Sequence, residues 1–576
     1  MRNVDEMAGA SRIATALCEK GLMAGLGAEH HLVGAQAMFL AGDHAELTRW
    51  LPSFDKLKWE VAHYLRTDLL NPFTPHPATA PAPADASPWT KGLSAVFVKA
   101  GLAPVVTQES HDGLPPFDLL AVKGAAPGCV GGELVTVIMP CYRPDSGLIT
   151  SIRSISRQTW ADLEILVVDD ASGPDYADLF AAAVALDPRA RLISMPQNGG
   201  SYRCRAAAID QSTGSLITFQ DADDWSHPSR IERQVTVLHE QSAPMSRSHA
   251  IRAKDDLTHQ WLGYRPMRAN ASSLLVRRTV LEQLGGFLPI RKGADSEFAD
   301  RVRALAGPIA DTRTPLAITR LRSGSLSRGD FTYSWFAPDR LNFRDAFMAW
   351  HRRLAAQRET EGEVRITTGD LDALPFAVPP SWVRGLEGER IIQTDLPVTY
   401  LGNFSTEQVS SAMVWLQSMI GAAGQPHSPT GWWHHELPVP QSAARPSVMT
   451  AWLDKVVHRP HLVPVSRIDR VNVGLLALVD PGALPLVAGQ DCHVDVREVQ
   501  VWLTPAVVEP GHSLLPEDLL GISDLVYELW STRPQWVLAP FLNDDEREHV
   551  RSSLPGLDIA EATDALSLAV GRGAGM

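Results

Sequence analysis

"LITFQDADDWSHP", residues 216–228, sets an apolar run directly against three aspartates, Asp221, Asp223 and Asp224. The run predicts a buried strand, and the acids stand at its carboxyl end. Like charges crowded there repel each other, and removing carboxylates from water without a cation is costly. A divalent metal removes that conflict. Hard oxygen ligands suit Mg2+ or Mn2+, and Mg2+ commonly combines one or two carboxylates with the phosphates of a substrate. Asp221 and Asp223 are therefore candidate metal ligands and a candidate diphosphate anchor. The competing reading is that the acids cap the next helix, where Ser226 and Pro228 suit early helical positions.

Outward from this stretch, short β-rich runs alternate with helical ones. "LVTVIMP" (134–140), "LEILVVDD" (163–170), "ARLISMP" (190–196) and "SLITFQDAD" (215–223) predict strands; helices are predicted through "SIRSISRQ", "YADLFAAAVAL" and "RCRAAAIDQ". Such alternation implies an α/β fold with a mostly parallel sheet and crossover helices. Ligands of these sheets collect at the carboxyl ends of the strands, where both "VVDD" and "DADD" fall. In "QNGGSYRCR" (197–205) a tight turn at Asn198 and Gly199 leads into a helix whose free N–H groups suit phosphate.

In this order the motifs resemble the family 2 glycosyltransferases, enzymes of GT-A (Rossmann-like) fold that use nucleotide-diphosphate sugars. The resemblance runs through "VTVIMPCYRP", "SIRSISRQTWADLEILVVDDAS", "NGGSYRCRAAAIDQSTGSLITFQDADDWSHPSRIERQ", "ASSLLVRRTVLEQLGGF" and "KGADSEFADRV", about residues 134–345. It implies that Pro140 and Tyr142 lie beside base and ribose, and that Asp169 and Asp170 meet the nucleobase, Asp170 as acceptor for its imide N–H. Asn198, Gly199, Arg205, Asp221 and Ala222 complete the nucleotide site it implies, and Asp221 and Asp223 hold Mn2+ or Mg2+. Asp295 matches the catalytic base, and Glu297 a second acid that helps place the acceptor. Arg143 departs from the asparagine common at that position. The implied activity is an inverting transfer of one sugar, with UDP the favoured nucleotide, to a hydroxyl of a saccharide, lipid-linked or protein acceptor. The Q-x-x-R-W motif and membrane spans of processive relatives are absent, so the expectation is a non-processive enzyme of surface-polysaccharide or glycoconjugate assembly. A transferase-like scaffold without activity is the alternative.

The remaining sequence bounds this reading. The chain has 576 residues, 45% of them hydrophobic and 20% charged, with a formal net charge of −14. That length predicts several domains, and that charge repels nucleic acid and anionic lipid unless a local basic patch overrides it. Five cysteines without a CxxC pair fit a reducing cytoplasm. No apolar run approaches the ~18 to 20 residues of a membrane span, so any membrane contact, as at the inner face, would be peripheral. The expected division is a helical segment over 1–70, a Pro-rich linker and connecting segment over 71–133, the transferase domain over 134–350 and a C-terminal α/β domain over 351–576. "LRSGSLSRGDF" (321–331), His351 and "GWWHHELP" (431–438) are weaker candidates. For the last two, a helix-surface histidine and core tryptophans are the favoured readings.

Overall fold

The structure, a computed structural model, describes residues 4–74, 88–109, 113–124, 130–322, 338–383, 394–404, 429–435, 461–488, 492–508 and 516–562. These fall into two compact units, one within 1–288, 292–335 and 361–371, the other within 289–291, 336–360 and 372–576. The loop serines 323, 325 and 327, with Arg328, lie outside the described residues.

The first unit begins with helices α1 (Val4–Glu19), α2 (Ala28–Leu40), α3 (His44–Trp50), α4 (Trp59–Asp68) and α5 (Pro88–Lys99). The turn "AGDH" (41–44) follows α2, with Gly42 at φ +83°, a conformation glycine adopts without strain. A short antiparallel pair follows, β1 (Val105–Thr107) with β2 (Leu120–Val122). Next come β3 (Val135–Cys141), α6 (Gly147–Ser156), β4 (Leu163–Asp169), α7 (Ala177–Val184), β5 (Ala190–Ser194), α8 (Ser201–Gln211) and β6 (Leu216–Phe219). They are followed by β7 (Trp225–Ser226), α9 (Arg230–Glu240), β8 (Met245–Ala253), β9 (Met267–Ala269), β10 (Leu275–Arg277), α10 (Arg278–Leu284), α11 (Ala294–Leu305) and β11 (Ala310–Arg320).

These strands form one nine-stranded sheet in the order β5-β4-β3-β6-β10-β8-β11-β7, with β9 beside β8. The four strands predicted from alternation, β3 to β6, are parallel, as crossover helices require. Beyond β6 the sheet turns mixed: β10 is antiparallel to both neighbours, β7 to β11 and β9 to β8. The parallel half is covered by Leu148, Ile152 and Ile155 of α6, Phe180 of α7 and Ile231, Val235 and Leu238 of α9, which close over Val135, Val137, Met139, Ile165 and Val167. Burying both faces of these strands explains why they are continuous apolar runs.

The segment before residue 134 is core to the same unit. Trp89, Phe97 and Phe117 pack with Trp225 of β7, Ile251 of β8 and Leu316 and Ile318 of β11. The fully buried Asp68 accepts hydrogen bonds from the backbone of His259 and the side chain of Gln260, at 2.9 and 2.7 Å, and stands 2.7 Å from His259 Nδ1.

The second unit holds α12 (Pro338–Glu361), on which His351 is buried. Its strands are β12 (Asp395–Gly402), β13 (Thr430–His434), β14 (Leu462–Pro464), β15 (Asn472–Leu478), β16 (Asp495–Leu503), β17 (Gln535–Leu538) and β18 (Ile559–Glu561). All pair in parallel, in the order β14-β13-β12-β15-β16-β17-β18. Strand order reverses between β12 and β15, as in a doubly wound sheet. Trp432 and Trp433 are core residues, and His434 Nδ1 accepts the Phe404 N–H at 2.9 Å.

Candidate active site

At the ends of β3 and β4 the chain builds an edge from backbone and acid. Tyr142 is half exposed just beyond β3, with the Arg143 guanidinium 5.1 Å from its ring. Arg143 sits at φ +47°, and its N–H donates to Ser172 Oγ at 2.8 Å. Asparagine tolerates that left-handed conformation better than arginine, which gives the family's usual residue there a physical reason. Pro140 pairs in register with Val168, and Asp169 Oδ1 accepts the Ser172 N–H at 2.8 Å. Asp170 is turned inward. It is buried, and its two carboxylate oxygens accept the N–H groups of Gly199 and Gly200 at 2.7 and 2.8 Å, while Asn198 Nδ2 donates to its carbonyl at 3.3 Å. The expected imide acceptor thus holds the 198–200 turn at the start of α8, where Gly200 takes φ +79°.

The acids after β6 do not cap α9. Ser226 lies in β7 and donates to Gln220 Oε1 at 2.8 Å, and α9 starts after Ser229. Asp224 is buried and accepts the Arg320 N–H at 2.8 Å. Asp221 and Asp223 are the open pair, with side chains 47% and 36% exposed. Burial, then the like charge of Asp221, pushes the Asp223 carboxyl up to about 6, and burial likewise raises Asp224. Arg205 is buried rather than presented to solvent; its guanidinium stacks on Tyr202, Phe219 and Phe287 and donates to Asp221 Oδ1 at 3.2 Å.

Asp295, in the first turn of α11, accepts a hydrogen bond from the Tyr202 hydroxyl at 3.0 Å. Tyr202 also stacks with Arg205, so Asp221, Arg205, Tyr202 and Asp295 form one linked row from the end of β6 to α11. Glu297 does not join it. Fully buried, it forms a two-pronged ion pair with Arg301 at 2.9 Å for both contacts, and Arg301 also donates to the carbonyls of Leu284 and Gly286. Through Arg301, Glu297 fixes the turn ahead of α11.

Comparison with known proteins identifies the fold's family. Residues 136–299 match the sequence model described as "Glycosyl transferase family 2". The chain carries a family 2 glycosyltransferase domain.

Glycosyltransferase GlyG of Streptococcus pneumoniae is 23% identical over 228 residues, which cover 35% of this chain and 76% of GlyG. An Escherichia coli protein, UDP-Glc:alpha-D-GlcNAc-diphosphoundecaprenol beta-1,3-glucosyltransferase WfgD, is 31% identical over 105 residues, 18% of this chain and 41% of that protein. Apart from GlyG, the chain spans less than half the length of the first curated relatives it matches. Among solved structures, S. aureus TarS 1–349 in complex with UDP-GlcNAc is 15% identical, with a TM-score of 0.31 over 38% of this chain and 66% of TarS 1–349. Mannosyltransferase PcManGT from Pyrobaculum calidifontis, in complex with GDP-Man and Mn2+, is 19% identical, with a TM-score of 0.29 over 40% of this chain and 66% of PcManGT.

The glycosyltransferase domain contains site residues that sequence reading missed. Arg322 reaches Asp145 at 2.7 Å and Asp223 at 3.7 Å. Arg320 pairs with Asp118, which also accepts from Thr150 at 2.7 Å, so β11, α6 and the segment before β2 are tied behind the acids. Tyr202 had a local signal, standing one helical turn before Arg205. The Asp118 pairing spans 202 positions and had none. Asp221 and Asp223 suit a divalent cation chemically, since one is desolvated and each faces the other's charge. Among the described residues no three His, Cys, Asp or Glu side chains cluster for a metal.

Proposed function

We propose that this chain is a metal-dependent inverting glycosyltransferase that moves a sugar from a nucleotide-diphosphate donor, UDP in first place, to an acceptor hydroxyl. The observation carrying the proposal is the linked row of Asp221, Arg205, Tyr202 and Asp295 at the carboxyl ends of the parallel strands. Pro140, Tyr142 and Asp169 line the base and ribose edge. Asp170 contributes by locking Asn198 and Gly199 into the turn whose helix start faces phosphate. Asp221 and Asp223, with Ala222 between them, would hold Mn2+ or Mg2+, which when bound offsets negative charge on a leaving diphosphate.

Asp295 is the base. One of its oxygens is held by Tyr202, and the other takes the proton of the acceptor hydroxyl as that oxygen attacks the anomeric carbon. The bond from carbon to the diphosphate oxygen breaks with its electron pair going to the diphosphate, and attack from the opposite side inverts the centre. Buried Arg205 keeps Asp221 in place through its hydrogen bond, in a slot lined by three aromatic rings. No helix among the described residues is long and apolar enough to cross a membrane. Action on surface-polysaccharide or glycoconjugate precursors in the cytoplasm, one sugar at a time, accords with the WfgD and GlyG likenesses.

The test is a thermal-shift panel of UDP, GDP and their sugar conjugates with and without Mn2+, paired with hydrolysis and transfer assays. Selective metal-dependent stabilisation by one nucleotide, with release of that nucleoside diphosphate, supports the proposal. Neither stabilisation nor release from any sugar nucleotide would favour the inactive scaffold.

A further inference from the structure

Helices α4 and α5 lie side by side in the first unit: His63 Nε2 is 2.8 Å from the Gly92 carbonyl, and the Lys99 ammonium lies 4.8 Å from the Trp59 ring. These contacts set the two helices antiparallel, with the start of α4 beside the end of α5. Their inner faces are core, through Tyr64, Trp89, Leu93 and Phe97. Their outer faces are unusual for this chain. Of the twelve large hydrophobic side chains exposed among the described residues, four belong to this pair or the turn after α4: Trp59, Leu70, Phe73 and Val98, exposed by 50, 55, 39 and 51%.

On the two helices and at Lys58 just before α4, the exposed charges have one sign. Lys58, Arg66, Lys91 and Lys99 are exposed, whereas both acids of α4, Glu60 and Asp68, are buried and α5 has none. On α4 the residues Trp59, Ala62 and Arg66 follow helical spacing along one stripe, with Leu70 in the turn beyond, and on α5 so do Lys91, Ala95 and Val98. A cationic stripe carrying half-exposed aromatic and aliphatic side chains, in a protein of net charge −14, is the local patch that overrides the repulsion expected from overall charge.

We propose that the outer face of α4 and α5 docks the protein on an anionic phospholipid surface. Trp59, Leu70 and Val98 enter the interfacial layer, where an indole is favoured for its apolar ring and polar N–H. Lys58, Arg66, Lys91 and Lys99 face the phosphate-bearing headgroups, their aliphatic stems lying along the apolar contacts. The proposal does not depend on the donor or base assigned above, and a protein without transfer activity would bind in the same way.

Co-sedimentation of the full chain with phosphatidylcholine vesicles, with and without phosphatidylglycerol, tests it. The expected result is binding only to the anionic vesicles, lost when salt rises from about 0.1 to about 0.5 M. Lys91→Glu with Lys99→Glu should weaken binding at least about tenfold, since each cation near such a surface contributes several-fold. Trp59→Ser should weaken it several-fold at unchanged salt dependence. All three positions are exposed, so an unchanged unfolding midpoint checks that the fold is intact. Equal binding to neutral vesicles, absence of binding to either, or full binding by the double-charge variant overturns the proposal. So does a dimer in solution that Trp59→Asp dissociates, because the face would then cover a second copy.

Discussion

Asp223→Asn should make the ligand-free protein more stable at neutral pH while damaging metal-dependent donor binding. The Asp223 carboxyl is raised from an ordinary 3.8 to about 6 by burial and by Asp221. A raised carboxyl favours folding while it is protonated. Its contribution is therefore complete below the ordinary value and is lost as pH climbs through about 6. A shift of about two units corresponds to about 3 kcal/mol at most. The side chain is 36% exposed, so solvent screening reduces this to roughly 1.5 kcal/mol. Asparagine removes the charge that is penalised above pH 6, and Arg322 keeps its 2.7 Å partner Asp145. Thermal and urea unfolding of both proteins from pH 4.5 to 8 is the assay. The variant should gain on wild type as pH rises, reaching about 1.5 kcal/mol, or a few degrees in midpoint, at neutral pH. Mn2+ should narrow that gap by stabilising wild type alone. Parallel curves, or a variant less stable at pH 7.5 than at pH 4.5 relative to wild type, would refute the account of the acid pair.

Asp295→Asn should leave nucleotide binding by calorimetry intact and abolish turnover; retained transfer would remove Asp295 as the base. Tyr202→Phe deletes a hydrogen bond to a carboxylate and should lower kcat about ten- to hundredfold with little change in donor KM, read in steady-state kinetics. Glu297→Ala leaves the Arg301 charge buried without its carboxylate partner and should cost about 3–5 kcal/mol in denaturant unfolding of the first unit, a loss a mere acceptor contact would not cause. Arg143→Asn relieves a left-handed backbone position and should raise the unfolding midpoint slightly.

Local chemistry made half of the transferase sheet legible. Strands β3, β4 and β6 are buried on both faces and are written as continuous apolar runs, whereas the edge strand β5 is largely exposed and only Ile193 is buried in it; the helices between them carry their own period. The acidic ends of β4 and β6 were visible for the same reason, because charge directly after a buried strand is conspicuous. The direction each carboxylate takes was not visible. Asp169 and Asp170 are chemically identical neighbours, yet a strand alternates its side chains. Only the folded position of Gly199 and Gly200 decides that Asp170 turns onto backbone N–H groups.

The same limit governs α11. Asp295 and Glu297 stand two residues apart in one acidic helix start, and sequence gave both a place at the acceptor. In the fold they point to different surroundings, one toward Tyr202 and the other into a buried pair with Arg301. The mixed half of the sheet and the packing of Trp89, Phe97 and Phe117 into its core were equally hidden, since they rest on contacts such as Asp118 with Arg320. By itself the sequence determined the parallel β/α run, its acidic strand ends and the family of the domain. Tertiary structure alone decided which acids stay open and which become structural, because burial and hydrogen-bond partners arise from residues distant along the chain.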